Sequence, residues 1–239
     1  MSSKSPATVK VKKFFIHPAV IVLVIFGIAL ILRLINLGVE PYWGDEILSL
    51  DISTHFSSVR EMVRYLAEVE LHPPLYYILI HFWTGWFGAS EFSVRFGSVL
   101  FGLGTIILAY FFAKDISGQR KVGYIAAFLL AILPMQIEYS QEARPYMIFT
   151  FFGLLSSFLA WKYHREQKKI YALSYVLSSL VGLYAMYSYL FILAATTLWW
   201  LYMAATSKVY RSRQLVIFLL VHTAILFGFG FWLKNFLYR

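Results

Sequence analysis

The sequence has no cysteine, and only 14% of its residues carry a charge, where soluble domains hold roughly 25%. The first absence excludes a disulfide scaffold and says nothing about compartment. The second stands beside 60% apolar side chains and a mean hydropathy of +0.67. Together they exclude a disordered chain and an ordinary soluble domain. HExxH, P-loop and GxGxxG patterns are also missing, so a zinc peptidase, a nucleotide-driven pump and a dinucleotide enzyme lack support. Nor is there an internal repeat.

What is present is a series of long apolar runs, near 17–37, 96–113, 122–137, 147–161, 171–187, 189–205 and 215–233. Stretch 171–205 would make about 52 Å of helix at 1.5 Å per residue, too long for one crossing, so a tight turn is expected near Tyr187–Tyr189. The first run follows Lys4, Lys10, Lys12 and Lys13. It is longer than the apolar core of a cleaved signal and lacks a small-x-small site, which reads as a retained signal-anchor.

The net charge of +9 suggests nucleic acid at first sight, but its distribution reports membrane orientation instead. Basic residues cluster in the amino terminus and at 114–121, 162–169 and 208–213, which together hold 14 of the 21 Lys and Arg. Eight of the 12 acids lie between residues 38 and 95. The positive-inside rule places the basic clusters in the cytoplasm and the acidic segment outside. Parity then requires 171–205 to cross twice and 75–87 not to cross. That segment, about 20 Å of helix against ~30 Å of hydrocarbon, is rich in Tyr, Trp and Phe and reads as a helix in the outer leaflet. Gly44–His55 and Ser57–Glu70 read as short amphipathic helices, the second capped by Ser57 or Ser58 with Glu61 in capping-box position. The expected architecture is an all-α polytopic integral membrane protein of the plasma (inner) membrane, with about seven spans. A basic cytoplasmic segment covers 1–16, and one membrane module covers 17–239 with a long helical external loop at 38–95.

Three places put ionisable groups at the outer ends of apolar helices: Trp43-Gly44-Asp45-Glu46, His72-Pro73-Pro74 with Arg95, and Glu138-Tyr139-Ser140-Gln141-Glu142-Ala143-Arg144-Pro145-Tyr146. Charge at that depth is costly unless paired or wetted, and so suggests function. Each piece also has a plainer reading. Asp45-Glu46 suits a helix start, His72-Pro-Pro a helix boundary, and Arg95 and Arg144 headgroup anchors. Arg33 reads as another such anchor or a partner for a loop acid. His81 and His222 read as packed or hydrogen-bonded histidines rather than metal ligands.

In order along the chain, the segments Arg33…Leu37-Gly38…Trp43-Gly44-Asp45-Glu46…Ser49, His72-Pro73-Pro74-Leu75-Tyr76-Tyr77, Phe87-Gly88…Arg95-Phe96-Gly97-Ser98 and Tyr139-Ser140-Gln141-Glu142-Ala143-Arg144-Pro145-Tyr146 resemble the GT-C membrane glycosyltransferases. The likeness is to family 39, the branch holding protein O-mannosyltransferases and the aminoarabinose transferase of lipid A. Members are usually about twice this length.

The resemblance implies inverting transfer of a sugar from a polyprenyl-phosphate donor to a glycan, lipid or protein acceptor on the extracytoplasmic face. Nucleic acid is not an expected partner. Asp45 would be the base, with Glu46 orienting it or raising its pKa. Arg95, Arg144 and His72 would hold the lipid phosphate. Tyr139, Gln141 and Glu142 would shape the sugar or acceptor site, and the aromatic helix 75–87 would wall a groove for the lipid tail. No cofactor is required by this chemistry. A divalent cation shared by Asp45, Glu46 and Glu142 stays open. The alternatives are a non-catalytic or truncated relative that binds polyprenyl lipid or serves a larger complex, and a small-molecule transporter. The transporter is disfavoured because the charges crowd one surface rather than the midplane.

Overall fold

The computed structural model describes residues 17–69, 72–206 and 211–237. The basic amino-terminal segment, Glu70 and Lys208 lie outside the described residues. Those that are described form an all-α membrane protein.

Helix α1 (Pro18–Leu34) starts on a His17 cap that accepts from the Ala19 amide, with Pro18 in the first turn where its missing N–H costs nothing. Two short helices follow, α2 (Gly44–His55) and α3 (Val59–Glu68). Ser58 caps α3 by accepting from the Arg60 amide. Pro73 and Pro74 then separate α3 from α4 (Leu75–Phe87), the aromatic helix. Ser90 caps the 27-residue α5 (Glu91–Ser117), which ends on Gly118 at φ 69°, a left-handed turn that favours glycine.

Run 122–137, read above as one apolar run, is not one continuous helix. It forms α6 (Arg120–Ile132) and α7 (Pro134–Ser140), bent by 61°. Pro134 supplies no amide hydrogen and cannot follow a helical residue without a clash, so the ladder breaks at Leu133. The carbonyls of Leu130 and Ala131 accept instead from the Arg33 guanidinium, at 3.1 and 3.0 Å. Arg33 also donates to the Ala29 carbonyl and Ser140 Oγ and is fully buried. It is therefore neither a headgroup anchor nor the partner of a loop acid. Gly102 on α5 lies against Ser140 Oγ, with Arg33 Nε 3.2 Å from where a Cβ would stand, so a side chain there would displace the pair.

The chain continues through α8 (Tyr146–Glu166), α9 (Lys169–Ala185), α10 (Tyr189–Thr206) and α11 (Arg211–Leu237). Stretch 171–205 is broken at 186–188, between α9 and α10. Helix α5 is the central post, packed on α1, α4, α6, α7 and α8, while α9 joins α8 to α11. Among the described residues three helices, α5, α10 and α11, are long and apolar enough to cross a membrane, or four counting α6–α7 as one bent span.

Helices α5 and α8 share one polarity. Arg95 and Arg144 stand near their amino ends. At their carboxyl ends Asp115 pairs with Lys162 at 3.1 Å and Arg165 at 3.2 Å. At about 1.5 Å per residue α5 is near 40 Å long, with Arg95 and the Asp115 cluster about 30 Å apart along it.

Candidate active site

Asp45 and Glu46 are consecutive in the first turn of α2, so their side chains leave the helix in different directions. Glu46 points inward and is fully buried. Its Oε1 accepts from Arg95 Nε at 3.0 Å and the Ala143 amide at 2.6 Å; its Oε2 accepts from Arg95 Nη2 at 2.6 Å and the Trp43 amide at 3.3 Å. This carboxylate ties the start of α2 to α5 and to the loop between α7 and α8.

Arg95 completes the tie. Nη1 donates to the carbonyls of Leu37 (3.2 Å) and Glu40 (2.8 Å), and the second Nη2 hydrogen to that of Pro41 (3.2 Å). With the two bonds to Glu46, all five guanidinium N–H groups are engaged within the protein. The donors expected to meet a phosphate are spent on the loop that carries the acids. Tyr42 lies beside the guanidinium, 5.4 Å from its ring centroid, and its hydroxyl donates to the Ala89 carbonyl.

Asp45 points outward and its side chain is 51% exposed. Its Oδ2 stands 3.6 Å from Arg144 Nη2. Arg144 Nη1 donates to the Asp45 carbonyl at 3.0 Å and to Ser49 Oγ at 2.8 Å. Ser49, one turn after Asp45, returns a bond to the same carbonyl. Arg144 is 6% exposed, yet its Nε has no partner. The two arginines are thus opposites: one is saturated, the other holds a donor in reserve beside an exposed carboxylate.

Gln141 and Glu142 face a polar cleft of about 680 Å³, bounded also by Asn36, Glu40, Trp43 and Glu138. Gln141 Nε2 reaches the carbonyls of Leu32, Arg33 and Ile35 at 2.8–3.3 Å, capping the carboxyl end of α1. Burial, together with the nearby Glu46 and Glu138 charges, pushes the Glu142 carboxyl up from its ordinary range. Tyr139 stacks on Tyr146 at 4.9 Å. His72 lies edge-on to Tyr77 at 6.4 Å, at the entry to α4. Among the described residues no group of three His, Asp or Glu is placed to hold a metal ion, and Glu46, one of three carboxylates considered for that role, is already saturated.

A second cavity, about 520 Å³ and almost wholly apolar, runs between α4, α5 and α8. Ile80, Trp83, Trp86, Phe101 and Phe151 wall it, with Tyr76 and Ser98 also in its lining. Ser98 Oγ donates to the Glu142 carbonyl at 2.6 Å, which links this groove to the α7–α8 loop.

Sequence reasoning brought Asp45, Glu46, Arg95 and Arg144 to notice, and the structure gathers all four. It passed over the roles of Ser49 and Tyr76. The i, i+4 spacing of Ser49 from Asp45 could have flagged the first; burial of the second is visible only in three dimensions.

No solved structure matches this chain. An uncharacterized protein of Aquifex aeolicus (strain VF5) is 30% identical over 159 residues, which is 64% of this chain and 32% of that protein. The chain therefore spans about a third of the length of that relative. The family model described as dolichyl-phosphate-mannose-protein mannosyltransferase matches residues 71–235, which covers α4 to α11 with Arg95 and Arg144 in it. With well over half of its length inside that match, the chain belongs to the dolichyl-phosphate-mannose-protein mannosyltransferase family, of GT-C type.

Proposed function

We propose that this chain is an inverting glycosyltransferase that moves a sugar from a polyprenyl-phosphate donor to a glycan, lipid or protein hydroxyl outside the cytoplasm. One observation carries the reading. An exposed carboxylate, Asp45, sits against a buried arginine with an unspent donor, Arg144, beside an aromatic-walled groove that suits an isoprenoid tail.

The chemistry needs two things of the protein. As the acceptor oxygen bonds to the anomeric carbon, its proton passes to the Asp45 carboxylate. As the bond from that carbon to the phosphate oxygen breaks, the electron pair leaves with the phosphate, whose charge Arg144 offsets. His72, at the entry to α4, is a second hydrogen-bonding group for that phosphate. Single displacement inverts the anomeric centre.

Arg95 and Glu46 serve differently from Asp45. Their buried pair holds residues 37–46 in place and so aims Asp45 toward Arg144. Gln141 and Glu142 border the polar cleft, which takes the sugar or acceptor, and Tyr139, packed against Tyr146, adjoins them in the chain. Seven crossings with the amino terminus in the cytoplasm are proposed, supported by the shared polarity of α5 and α8 and by the basic residues at their carboxyl ends.

A second reading has the chain hold the lipid without turning it over, or act as a subunit of a larger assembly. The test is purified wild type beside Asp45→Asn, given polyprenyl-phosphate sugar, with transfer and lipid binding measured separately. The enzyme reading expects wild type to transfer, and the variant to bind equally but transfer at least about a hundredfold more slowly. Binding by both with transfer by neither establishes the second reading instead.

A further inference from the structure

Between α2 and the last turns of α4 lies a further opening of about 440 Å³, lined by Thr54, His81, Phe82, Thr84, Gly85 and Trp86. No lysine, arginine, aspartate or glutamate lines it. Its floor is aromatic: Trp86 is 75% exposed and Phe82 47%, with ring centroids 6.2 Å apart. Its polar side chains are nearly all acceptors. His81 Nδ1 lies 2.8 Å from the Ser53 carbonyl, so the ring proton sits on Nδ1 and Nε2 is left as an acceptor. Thr84 Oγ1 donates to the His81 carbonyl at 3.1 Å, and Thr54 Oγ1 to the Leu50 carbonyl at 2.9 Å. With their hydrogens spent, both hydroxyls offer only lone pairs. The Trp86 indole N–H is the side-chain donor that remains.

Gly85 is a second and independent observation. It stands inside α4, where glycine is a poorer helix former than alanine. A Cβ built on it meets nothing within 4 Å, so packing does not call for a glycine. What its missing side chain does is leave the opening unfilled. An uncharged, acceptor-rich opening with an aromatic floor selects a neutral ligand that carries many hydroxyl donors and one apolar face. A sugar ring has both, since the C–H groups on its faces carry slight positive charge that suits the negative face of an indole. An anion finds no cation here, and an ammonium ion finds no carboxylate to offset its dehydration.

We infer that this opening is a saccharide-binding site separate from the reaction centre. Thr54 follows Asp45 by nine residues on α2, which is about 13 Å along the helix and half a turn around it. A sugar seated here is held away from the Asp45–Arg144 chemistry, so the site grips a part of a glycan that does not react. The inference does not depend on the glycosyl-transfer reading.

The deciding variant is Gly85→Leu, a good helix former whose side chain fills the opening at a position outside the lipid groove. Wild type and variant are placed in nanodiscs, so that bilayer lipid occupies its own places. They are titrated with cellotriose, maltotriose, triacetylchitotriose and choline, and binding is read by saturation-transfer NMR. At least one trisaccharide is expected to bind wild type with a Kd of about 0.1–10 mM, and to bind Gly85→Leu about tenfold or more weakly. The thermal midpoint of Gly85→Leu stays level or rises. Thr84→Val, which removes lone pairs and keeps the shape, weakens the same trisaccharide about threefold or more. Should Gly85→Leu melt earlier than wild type, Thr84→Val decides alone.

No binding of any trisaccharide up to about 20 mM overturns the inference. Binding equal to wild type by the deciding variant also overturns it, because the sugar then sits elsewhere. Choline binding that Gly85→Leu abolishes, with no trisaccharide bound, would show an ammonium site and overturns it as well. The glycosyltransferase reading, tested at Asp45, stands or falls apart from all of these.

Discussion

The Glu46–Arg95 pair offers the sharpest quantitative test of how this site is built. Arg95 engages five N–H groups, and Glu46 is fully buried with four bonds to its two oxygens. Arg95→Lys keeps the charge but supplies at most three donors, so at least two bonds go unmade. At about 1.5 kcal/mol each for bonds involving a charged group, the loss is about 3 kcal/mol. For a chain of this size that corresponds to a fall of roughly 6–12 °C in melting temperature. Arg95→Met strands a buried carboxylate and is expected to cost about 3–5 kcal/mol. Adding Glu46→Gln to Arg95→Met removes the stranded charge, so the double variant should be less destabilised than the two singles summed, by about 2 kcal/mol or more. Thermal unfolding followed by tryptophan fluorescence in detergent reads wild type and all four variants, alongside donor KM. If Arg95→Lys melts with wild type and only its donor KM rises, the guanidinium contacts substrate phosphate and the positioning role is refuted.

Three further outcomes follow from the same geometry. Arg33→Met leaves the carbonyls of Leu130 and Ala131 without their donor at the α6–α7 break, so it should destabilise by about 2–4 kcal/mol and speed amide exchange in 134–140 ahead of the rest; uniform exchange would contradict this. Burial and neighbouring acids raise the Glu142 carboxyl, so the folded state disfavours its charged form, and stability present at low pH is lost as pH rises through that raised value. Glu142→Gln should therefore gain thermal stability over wild type as pH rises and match it in acid; the reverse trend would show Glu142 paired with a cation. With Glu46 committed to Arg95, chelation by EDTA should change transfer by less than about twofold, whereas a larger loss restored by a divalent cation would point to a metal at the remaining carboxylates.

Much of this fold was legible in the sequence because apolar length and helix stops are local. Residues 44–55 and 75–87 form helices at the expected bounds, since Pro73-Pro74 and Gly88 punctuate the chain without tertiary help. The α9–α10 break was readable from length alone. The 61° bend at Pro134 was not, because a proline inside an apolar run looks tolerable until the freed carbonyls need donors; Arg33, about a hundred residues earlier in the chain, supplies them. The site divides the same way. Residue types and order singled out Asp45, Glu46, Arg95 and Arg144. Which arginine is spent and which held in reserve depends on carbonyls at 37, 40 and 41 that carry no sequence signal.

The central claim is that the carboxylate at residue 45 works on the side of the membrane away from the cytosol, and labelling from each side tests it most directly. Because the chain has no cysteine, single substitutions give a clean background. Asp45→Cys and Arg165→Cys replace side chains that are 51% and 52% exposed, toward opposite ends of the fold. The account predicts that a membrane-impermeant maleimide applied to intact cells labels position 45 alone, and that position 165 reacts only once the cytoplasmic face is opened. Labelling of 165 from outside with 45 protected, or of both from one side, would contradict it.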